Sequence, residues 1–395
     1  MDIDQKGTFF ITCSRGLEPL LGREVERLGY GVDDSSARGV ATTAPLRAAM
    51  RLNLHLGTAS GVLFLLKEFR CKSADELYNQ TRSLPWEEMI SPDEYVSVVS
   101  SVDTESISHT NYPNLKVKDA IVDAVAAKTG ARPNSGPERD NVVVSLYWKG
   151  DRCSLYLNTS GGKLSDRGYR MIPGKAPLRE NLAAGIILST GYDGRQPLVV
   201  PMCGTGTLAI EAALIGQGIA PGLLRKNFGF LHIKGFTTDE WRKVRQQAAG
   251  PGAGEGPPGA DRAGRGPLPR IIASDIDPEM IAAGRKNAAA AGVGELIDFA
   301  VCDFADTPIP AEKGIIVVNP EYGMRLGEVQ ALESTYSRLG DFFKQKCAGW
   351  TAYIFTGNPA LSKKVGLRAS RRIPFFNARI ECRLLRYDMY EGSRK

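Results

Sequence analysis

The sequence predicts an α/β protein in which a mixed α+β region precedes a larger, doubly wound parallel sheet. Three observations lead to this fold class. Apolar strand-like segments alternate with helix-like segments in the C-terminal half, as in a parallel sheet covered by helices. A glycine turn, Cys203–Thr207, joins an apolar segment to a helix-like one, an arrangement that offers backbone amides to a nucleotide-like ligand. Strands and helices also alternate before residue 160, which indicates a separate α+β region.

The elements of the N-terminal region follow from hydrophobic spacing. Strands are expected at 8–13, 40–43, 61–69, 95–100, 141–148 and 152–157. Helices are expected at 16–28, 45–54, 73–80 and 115–129. The last two strands should form a hairpin, because the turn-type sequence Lys149-Gly-Asp151 separates them.

The elements of the C-terminal region follow in the same way. Strands are expected at 197–200, 270–274, 297–302, 315–318 and 351–355, with helices between them. Two final segments, 371–376 and 380–390, are close enough in sequence to form an antiparallel hairpin. Residues 250–269 consist largely of Gly and Pro and cannot bury a core, so they predict a flexible surface insertion.

Composition favours a cytoplasmic protein of two or three domains. The chain has 395 residues, of which 43% are hydrophobic and 24% charged, and a net charge of +6 that hints at an anionic partner. Its seven scattered cysteines form no Cys-x-x-Cys pair, and with three histidines no metal site is expected. The polar N-terminus does not fit a signal peptide, and no apolar run has the length of a bilayer span.

Polar residues follow successive predicted strands of the C-terminal region. Asp275 ends the second strand, Asp303 follows the third, and the sequence Asn-Pro-Glu-Tyr at 319–322 follows the fourth. Each of these residues alone would more often cap a helix or begin a turn. Because the carboxyl ends of parallel strands meet at one edge of a sheet, the whole series favours a ligand site there.

These motifs resemble those of class I S-adenosylmethionine-dependent methyltransferases that methylate amino groups. The string Pro201-Met-Cys-Gly-Thr-Gly-Thr207, with Arg167-Gly-Tyr-Arg170 upstream, is similar to the THUMP-domain RNA methyltransferases. Within that group the chain is most similar to the bacterial enzymes that methylate N2 of a guanine in 23S ribosomal RNA. The resemblance covers nearly the whole chain and implies that S-adenosylmethionine is the cofactor.

The resemblance also implies a domain organisation and a partner. It implies a ferredoxin-like part at 1–65, a THUMP RNA-binding domain at 66–160 and a Rossmann-like methyltransferase domain at 161–395. The expected partner is RNA, either 23S ribosomal RNA or a precursor of the large subunit. Three positions depart from the family pattern: Val200 replaces an Asp, Glu321 replaces the second proline of Asn-Pro-Pro-Tyr, and Ala378 replaces a frequent glycine.

The resemblance assigns donor-binding residues to this chain. They are Pro201, Cys203, Gly204, Thr205, Gly206, Thr207, Asp275, Ile276, Asp303, Phe304 and Asn319. The glycine turn is expected to pass under the methionine part, and Asp275 to accept hydrogen bonds from the ribose hydroxyls. Asp303 is expected to read the adenine amino group, with Phe304 packed beside it.

Asn319, Pro320 and Tyr322 are the expected catalytic residues. An exocyclic amine of a base is a poor nucleophile, because its lone pair is delocalised into the ring. The side-chain oxygen of Asn319 and the carbonyl of Pro320 can hold that amine, and Tyr322 can stack on a base taken out of its helix. The enzyme otherwise aligns donor and acceptor and removes water.

Basic residues flank the proposed site and are expected to contact RNA phosphates. They are Arg167, Arg170, Lys363, Lys364, Arg371 and Arg372. For any one of them, a solvated surface position is about as good an interpretation.

Several functions remain open at the level of sequence. Methylation of guanine N2 in 23S ribosomal RNA is the leading one. Methylation of adenine N6, or of a guanine in tRNA, keeps the same chemistry and changes the substrate. A catalytically silent RNA-binding or ribosome-assembly factor is the alternative that Val200 and Glu321 suggest. A dinucleotide-dependent hydride-transfer enzyme fits worst, because no residues assemble a hydride-acceptor site.

Overall fold

Two β-sheets organise the chain, one in each of two structural units. The computed structural model describes residues 2–107, 111–174, 178–249, 269–323 and 326–391. The first unit comprises Met1–Cys13, Leu21–Leu164 and Arg225–Ala248, and the second comprises Ser14–Leu20, Ser165–Leu224 and Ala249–Lys395. The predicted insertion at 250–269 lies outside the described residues, apart from its last residue. Among the helices of the described ranges, none is both long and apolar enough to cross a membrane.

The first unit is built on an eight-stranded sheet. Its strands are β1 (Lys6–Cys13), β2 (Asp34–Ser36), β3 (Gly39–Pro45), β4 (Ala59–Arg70), β5 (Tyr95–Asp103), β6 (Asn134–Ser135), β7 (Val142–Lys149) and β8 (Arg152–Asn158). They lie in the order β2-β3-β1-β4-β8-β7-β5-β6. β5 runs parallel to both of its neighbours, and the other pairs are antiparallel. The helices of this part of the chain are α1 (Glu18–Arg27), α2 (Ala48–His55), α3 (Ala74–Arg82), α4 (Trp86–Met89) and α5 (Tyr112–Thr129).

Local sequence explains these elements. In β7, Val144, Leu146 and Trp148 are buried, while the residues between them are more exposed, so the strand has one core face. α3 begins after Ser73, whose hydroxyl accepts a hydrogen bond from the Glu76 amide at 3.2 Å. α5 ends at Gly130, which adopts the left-handed conformation usual for a helix C-terminus.

The second unit is built on a seven-stranded sheet. Its strands are β9 (Leu198–Pro201), β10 (Ile271–Asp275), β11 (Ile297–Val301), β12 (Ile315–Val318), β13 (Thr351–Thr356), β14 (Arg371–Asn377) and β15 (Ile380–Asp388). The order is β11-β10-β9-β12-β13-β15-β14, and β15 runs antiparallel to both of its neighbours while the other pairs are parallel. The helices include α6 (Glu180–Thr190), α7 (Thr207–Gln217), α9 (Pro278–Ala290), α10 (Leu326–Lys346) and α11 (Pro359–Lys364); α8 (Thr238–Ala249) lies before β10 in sequence. Both sheets confirm the predicted fold class.

The order of the strands creates a crevice in the second unit. The chain proceeds outward from β9 through β10 to β11, and then returns to β12 on the other side of β9. Ligands of α/β sheets bind where the strand order reverses in this way, at the carboxyl ends of the strands. A hydrophobic cluster beneath this edge includes Val199, Phe304, Ile316, Tyr336 and Phe343.

One segment belongs to a different unit from the one that sequence position suggests. Residues 225–248 fall within the predicted methyltransferase domain, but the structure packs them into the first unit. The rings of Phe228, Phe230 and Trp241 contact one another there, with centroids 5.1–5.4 Å apart. A backbone hydrogen bond from Phe230 to Thr159 fixes the segment beside the end of β8. This hydrogen bond joins residues about 70 positions apart, so local patterns do not reveal it.

Candidate active site

The glycine turn after β9 has the backbone geometry that its sequence predicts. Gly204 and Gly206 both have positive φ angles, of 54° and 81°. A Cβ atom at Gly206 would lie 3.2 Å from the ring of Phe299, so glycine is needed there for space as well as for conformation. Met202 also has a positive φ, of 54°, which is a strained conformation for a side chain of this kind. Met202 packs against the hydrophobic core, and this packing offsets the strain.

Asp275 at the end of β10 closes the turn. One of its carboxylate oxygens accepts a hydrogen bond from the Gly204 amide at 2.8 Å, and the other accepts one from the Asp277 amide at 3.1 Å. A carboxylate has about four acceptor positions, so two remain for hydroxyl groups. Ile276 beside it is 70% exposed, an unusual position for an apolar side chain. The two residues therefore offer acceptors and an apolar surface at the same strand end.

The other assigned residues of the turn have distinct surroundings. Pro201, Thr205 and Thr207 are buried, and Thr207 begins α7. The Cys203 amide bonds the Ser274 carbonyl at 2.9 Å, which ties the turn to β10. Burial raises the pKa of the Cys203 thiol well above its usual value, so the thiol stays protonated.

Asp303 is bound to a residue that the sequence analysis did not identify. Its carboxylate accepts hydrogen bonds from the Ala305 amide at 2.9 Å and from Arg338 of α10 at 2.7 Å. Burial acts to raise the pKa of Asp303, but these two donors outweigh it, and the pKa lies below its usual value. The Arg338 guanidinium also lies 4.8 Å from the ring centre of Phe304.

The Phe304 ring is largely buried. Its side chain is 6% exposed and belongs to the core cluster, where it contacts Phe342 edge to face. The ring therefore supports the loop that carries Asp303, and its packing beside an adenine stays a prediction. Its position after an apolar strand gave no sign of which way the ring would point.

Asn287 of α9 is a further residue that the sequence analysis missed. It is 1% exposed, and its amide oxygen accepts hydrogen bonds from the Met171 and Ile172 backbone amides at 2.8 and 3.1 Å. Its amide nitrogen donates to the carbonyls of Ile172 and Thr205 at 3.2 and 3.3 Å. Asn287 thus holds the segment 171–172 against the glycine turn. A single Asn among alanines of a helix is the only sequence signal for it.

The loop at 319–322 leaves β12 beside the glycine turn, because β12 and β9 are paired neighbours. The Tyr322 hydroxyl donates to the side-chain oxygen of Asn319 at 2.7 Å. Asn358 donates to the Tyr322 carbonyl at 2.9 Å, and Tyr336 donates to the Glu321 carbonyl at 3.1 Å. Burial raises the pKa of Tyr322 well above its usual value, so its hydroxyl remains a donor. The loop is held at three points, which supplies stiffness without a second proline.

The arginines of the Arg-Gly-Tyr-Arg motif form ion pairs within the second unit. Arg167 is 2% exposed and pairs with Glu211 of α7 at 2.9 Å, and the Tyr169 hydroxyl donates to the same carboxylate. Burial raises the pKa of Glu211 to about 7, against the attraction of Arg167. Arg170, whose side chain is 17% exposed, pairs with the buried Glu180 at 2.9 Å. The burial of Arg167 contradicts its expected phosphate contact, whereas that of Arg170 stays a prediction.

The other basic residues are exposed. They are Lys363 and Lys364 at the end of α11, and Arg371 and Arg372 at the start of β14. Arg372 lines a pocket of ≈ 320 Å³ with Arg383, Glu381 and Pro359, where β13 meets α11 and the terminal hairpin. Gly357 belongs to this pocket, and a Cβ there would lie 3.2 Å from the Tyr322 ring. The pocket thus adjoins the 319–322 loop.

No group of three or more His, Cys, Asp or Glu residues able to hold a metal ion occurs among the described residues. Val200, which stands where the family has an Asp, is fully buried in β9 and pairs with Ala273 of β10.

Comparisons with known proteins agree with this geometry. Residues 167–386 match a model for the RMKL-like methyltransferase domain, 8–63 match one for the RlmL ferredoxin-like domain, and 71–158 match one for the THUMP domain. A ribosomal RNA large subunit methyltransferase K/L of Syntrophotalea carbinolica is 37% identical over 97% of this chain and 54% of its own length. A Synechocystis protein named as a candidate RNA methyltransferase is 34% identical, over 97% of both chains. The chain spans about half the length of the K/L relatives that it matches.

A solved structure shares the whole architecture. It is a candidate methyltransferase in complex with SAH, 25% identical, with a TM-score of 0.85 over 99% of this chain and 100% of that one.

Proposed function

This chain belongs to the family of RMKL-like methyltransferase domains that follow ferredoxin-like and THUMP domains, and from that premise we propose that it transfers a methyl group from S-adenosylmethionine to N2 of a guanine in 23S ribosomal RNA. The observation that carries the proposal is the pairing of β9 with β12 at the reversal of strand order. This pairing brings the glycine turn and the Asn319 loop to the same edge. A donor site and an amine-holding group therefore lie side by side.

The residues at this edge fit the donor. Gly204 leaves open space where a ligand can approach the backbone, because no atom lies within 4 Å of a Cβ built there. Asp275 has acceptor positions left for two ribose hydroxyls, and Ile276 offers an apolar surface for a base. When bound, S-adenosylmethionine supplies an activated methyl group on a sulfonium. The protein contributes orientation and the exclusion of water.

Asn319 is the group proposed to hold the target amine. An amide oxygen has two acceptor positions, and the Tyr322 hydroxyl occupies one of them. The second can accept from an exocyclic N–H, together with the Pro320 carbonyl. Tyr322 then has a positioning role, because its hydrogen bond fixes the rotation of the Asn319 amide. Stacking of Tyr322 on the base remains part of the proposal, and its edge-to-face contact with Phe355 at 6.2 Å would orient the ring.

RNA contacts in the second unit are assigned to Lys363, Lys364, Arg371 and Arg372, which are exposed. The pocket that adjoins the loop is within the size range of small-ligand sites, about 300–1,000 Å³. It carries Arg372 and Arg383, which suit the phosphate of a nucleotide. In this proposal the first unit contributes further RNA binding, and the enzyme works in the cytoplasm, where ribosomal RNA is found.

Single-turnover methyl transfer tests the proposal. Asn319→Ala should reduce transfer to a 23S ribosomal RNA transcript by at least about tenfold, since one hydrogen bond to the reacting group is worth about 1.5 kcal/mol. Donor affinity, measured by calorimetry, should change little. Asn358→Ala is the matched control, because it removes an amide that holds the loop and does not hold the amine. A near-normal rate in the Asn319 variant would contradict the assignment.

The substrate is tested separately. Nucleosides of ribosomal RNA from a deletion strain should lack one N2-methylguanosine, and the purified protein should restore it. Restoration of methylated adenine, or of a methylated guanine in tRNA alone, would support the same chemistry on a different substrate. A wild-type protein that binds no donor would favour the silent RNA-binding factor.

A further inference from the structure

The proposed function assigns RNA binding to the first unit but names no surface for it, and one face of its sheet is open. Cross-strand register defines it: Tyr156 of β8 lies opposite Ser145 of β7, and Tyr147 of β7 lies opposite Ser154 of β8. Ser145, Tyr147 and Tyr156 are partly exposed and alternate with buried residues such as Leu146 and Leu155, so they point away from the core. A groove of ≈ 890 Å³ lies over this face.

Aromatic rings line the groove. Phe10 of β1 and Tyr156 lie 6.5 Å apart, and their planes are tilted by 40°. Tyr147 lies farther along the same face, with the Arg38 guanidinium 5.9 Å from its ring centre. All three rings are half-buried, so each is fixed in position and still accessible. We call Phe10, Tyr147 and Tyr156 the aromatic groove.

A row of basic residues borders the aromatic groove. Arg70 of β4 pairs with Arg152 of β8, and Arg152 pairs with Lys149 of β7, so the three lie in one line across three strands. All three are exposed. Adjacent like charges on neighbouring strands are unfavourable. Asp151 lies 3.8 Å from Arg70, and Asp103 lies opposite Lys149, so these carboxylates relieve part of the repulsion. The remaining excess of positive charge favours an anionic occupant. Glu68 is the acidic residue that lines the groove, and it already accepts a hydrogen bond from Ser154 at 3.1 Å.

We propose that the aromatic groove binds a single-stranded segment of RNA, with bases stacked on its rings and phosphates held by the basic row. Stacking on aromatic side chains and on arginine planes is how sheet surfaces bind unpaired bases. The rigid backbone of a duplex cannot present base faces to such a surface. Ser101, which lies opposite Tyr147, and Ser145, which lies opposite Tyr156, offer hydroxyls to ribose and base edges. The proposal rests on the proposed function only in taking RNA as the partner.

Fluorescence anisotropy on the full chain tests the groove, with a labelled single-stranded RNA of about ten nucleotides and mixed sequence as probe. Tyr147→Ala and Tyr156→Ala should each weaken binding by about 5- to 100-fold, as loss of one stacked base does. Tyr147→Phe and Tyr156→Phe should retain most of the affinity, because they keep the ring. Tyr112→Ala is the matched control, since Tyr112 is 43% exposed at the start of α5 and should not affect binding.

The salt dependence of RNA binding tests the basic row of Arg70, Lys149 and Arg152. Lys149→Gln and Arg152→Gln should each lower the slope of log affinity against log salt by about 0.7, the value for one phosphate contact on a single strand. A duplex of the same sequence should lose little affinity in the tyrosine variants. Unchanged single-strand binding in both alanine variants, with thermal unfolding intact, would overturn the proposal. Equal losses for single strand and duplex would also overturn it.

Donor binding separates this proposal from the function proposed above. The groove variants should bind S-adenosylmethionine as the wild type does, because Asp275 and the glycine turn lie in the second unit. Loss of RNA binding with normal donor affinity supports the groove. Normal groove behaviour in a protein that transfers no methyl group would count against the proposed function alone.

Discussion

The two sheets of this protein leave different parts accessible to ligands: the second unit leaves an edge, and the first unit leaves a face. In the second unit, Val199 and Val200 of β9 are both fully buried, as are all four residues of β12, so the faces are covered and only the carboxyl edge is free. In the first unit, β7 alternates between buried residues and accessible ones, so a whole face remains open. A covered parallel sheet concentrates its chemistry at one edge, whereas a half-covered sheet offers a broad surface.

The difference extends to charged residues. In the second unit, Arg167 and Glu211 form an ion pair in which both side chains are 2% exposed. In the first unit, the pair of Arg47 with Asp4 lies at the surface, with side chains 47% and 62% exposed. The buried pair orders the interior of the second unit, whereas the surface pair of the first unit stays in contact with water.

The largest expected effect on stability tests this contrast between a buried and an exposed ion pair. Arg167→Ala leaves the Glu211 carboxylate buried without its partner and should lower the free energy of unfolding by about 3–5 kcal/mol. Arg47→Ala, the matched control, should lower it by less than about 1 kcal/mol. Urea unfolding of both variants measures the difference. Equal losses of unfolding free energy in the two variants would mean that burial does not strengthen the effect of removing an arginine from its ion pair.

Glu211 also predicts a pH dependence. Burial raises the pKa of Glu211 to about 7 in the folded state, whereas in the unfolded chain the pKa returns to the ordinary glutamate value. Between these two pKa values the folded protein therefore binds a proton that the unfolded chain has released. Its contribution to stability is complete at acidic pH, and it declines as the pH rises through about 7. Unfolding free energies measured from pH 5 to 8 should fall less steeply in Glu211→Gln. An identical slope in the variant would refute the assignment.

Asp275 tests whether the edge holds the donor. Asp275→Ala removes an acceptor from the ribose hydroxyls and from the Gly204 amide, and should weaken donor binding by about 1–3 kcal/mol. Asp298→Ala on the neighbouring strand is a control, because Asp298 pairs with Arg270 at the surface. Calorimetry with S-adenosylmethionine gives both affinities. Donor affinity that survives the loss of Asp275 would remove the donor site from this edge.

Tyr322 separates positioning from stacking. Tyr322→Phe keeps the ring but loses the hydrogen bond to Asn319, and should slow single-turnover transfer by about 2- to 12-fold. Tyr322→Ala should slow it further if the ring also stacks on the base. Equal rates in Phe and Ala variants would leave only the hydroxyl with a role.

The smallest effect compares the two hairpins. Gly150, between β7 and β8, has φ 58°, and Ala378, between β14 and β15, has φ 54°. Ala378→Gly should raise stability by about 1 kcal/mol, because alanine is strained in this conformation. Gly150→Ala should lower it by a similar amount, since no neighbouring atom lies within 4 Å to cause any further effect. Thermal unfolding of the two variants would show opposite shifts.

The sequence predicted those features of the fold and the site that depend on local hydrophobic pattern and on the order of elements along the chain. The strands of the second unit and the sequence of Asp275, Asp303 and Asn319 follow from apolar runs and the residues after them. It did not reveal Asn287, Arg338 or Asn358, because their roles depend on contacts with residues far away in the chain. It also placed Arg167 at the surface, since no pattern distinguishes a paired arginine from a solvated one.

Strand β4 has a consequence for how the N-terminal half can be divided. Ala59–Arg70 begins in the segment that matches the ferredoxin-like model and ends directly before the one that matches the THUMP model. Its first part pairs with β1, and its part from Leu63 to Arg70 pairs with β8. The expected boundary between residues 65 and 66 falls inside this strand. Cutting there would expose two unpaired sheet edges, which promote aggregation. We therefore expect the two modules to fold as one piece, so a truncation should remove both or neither.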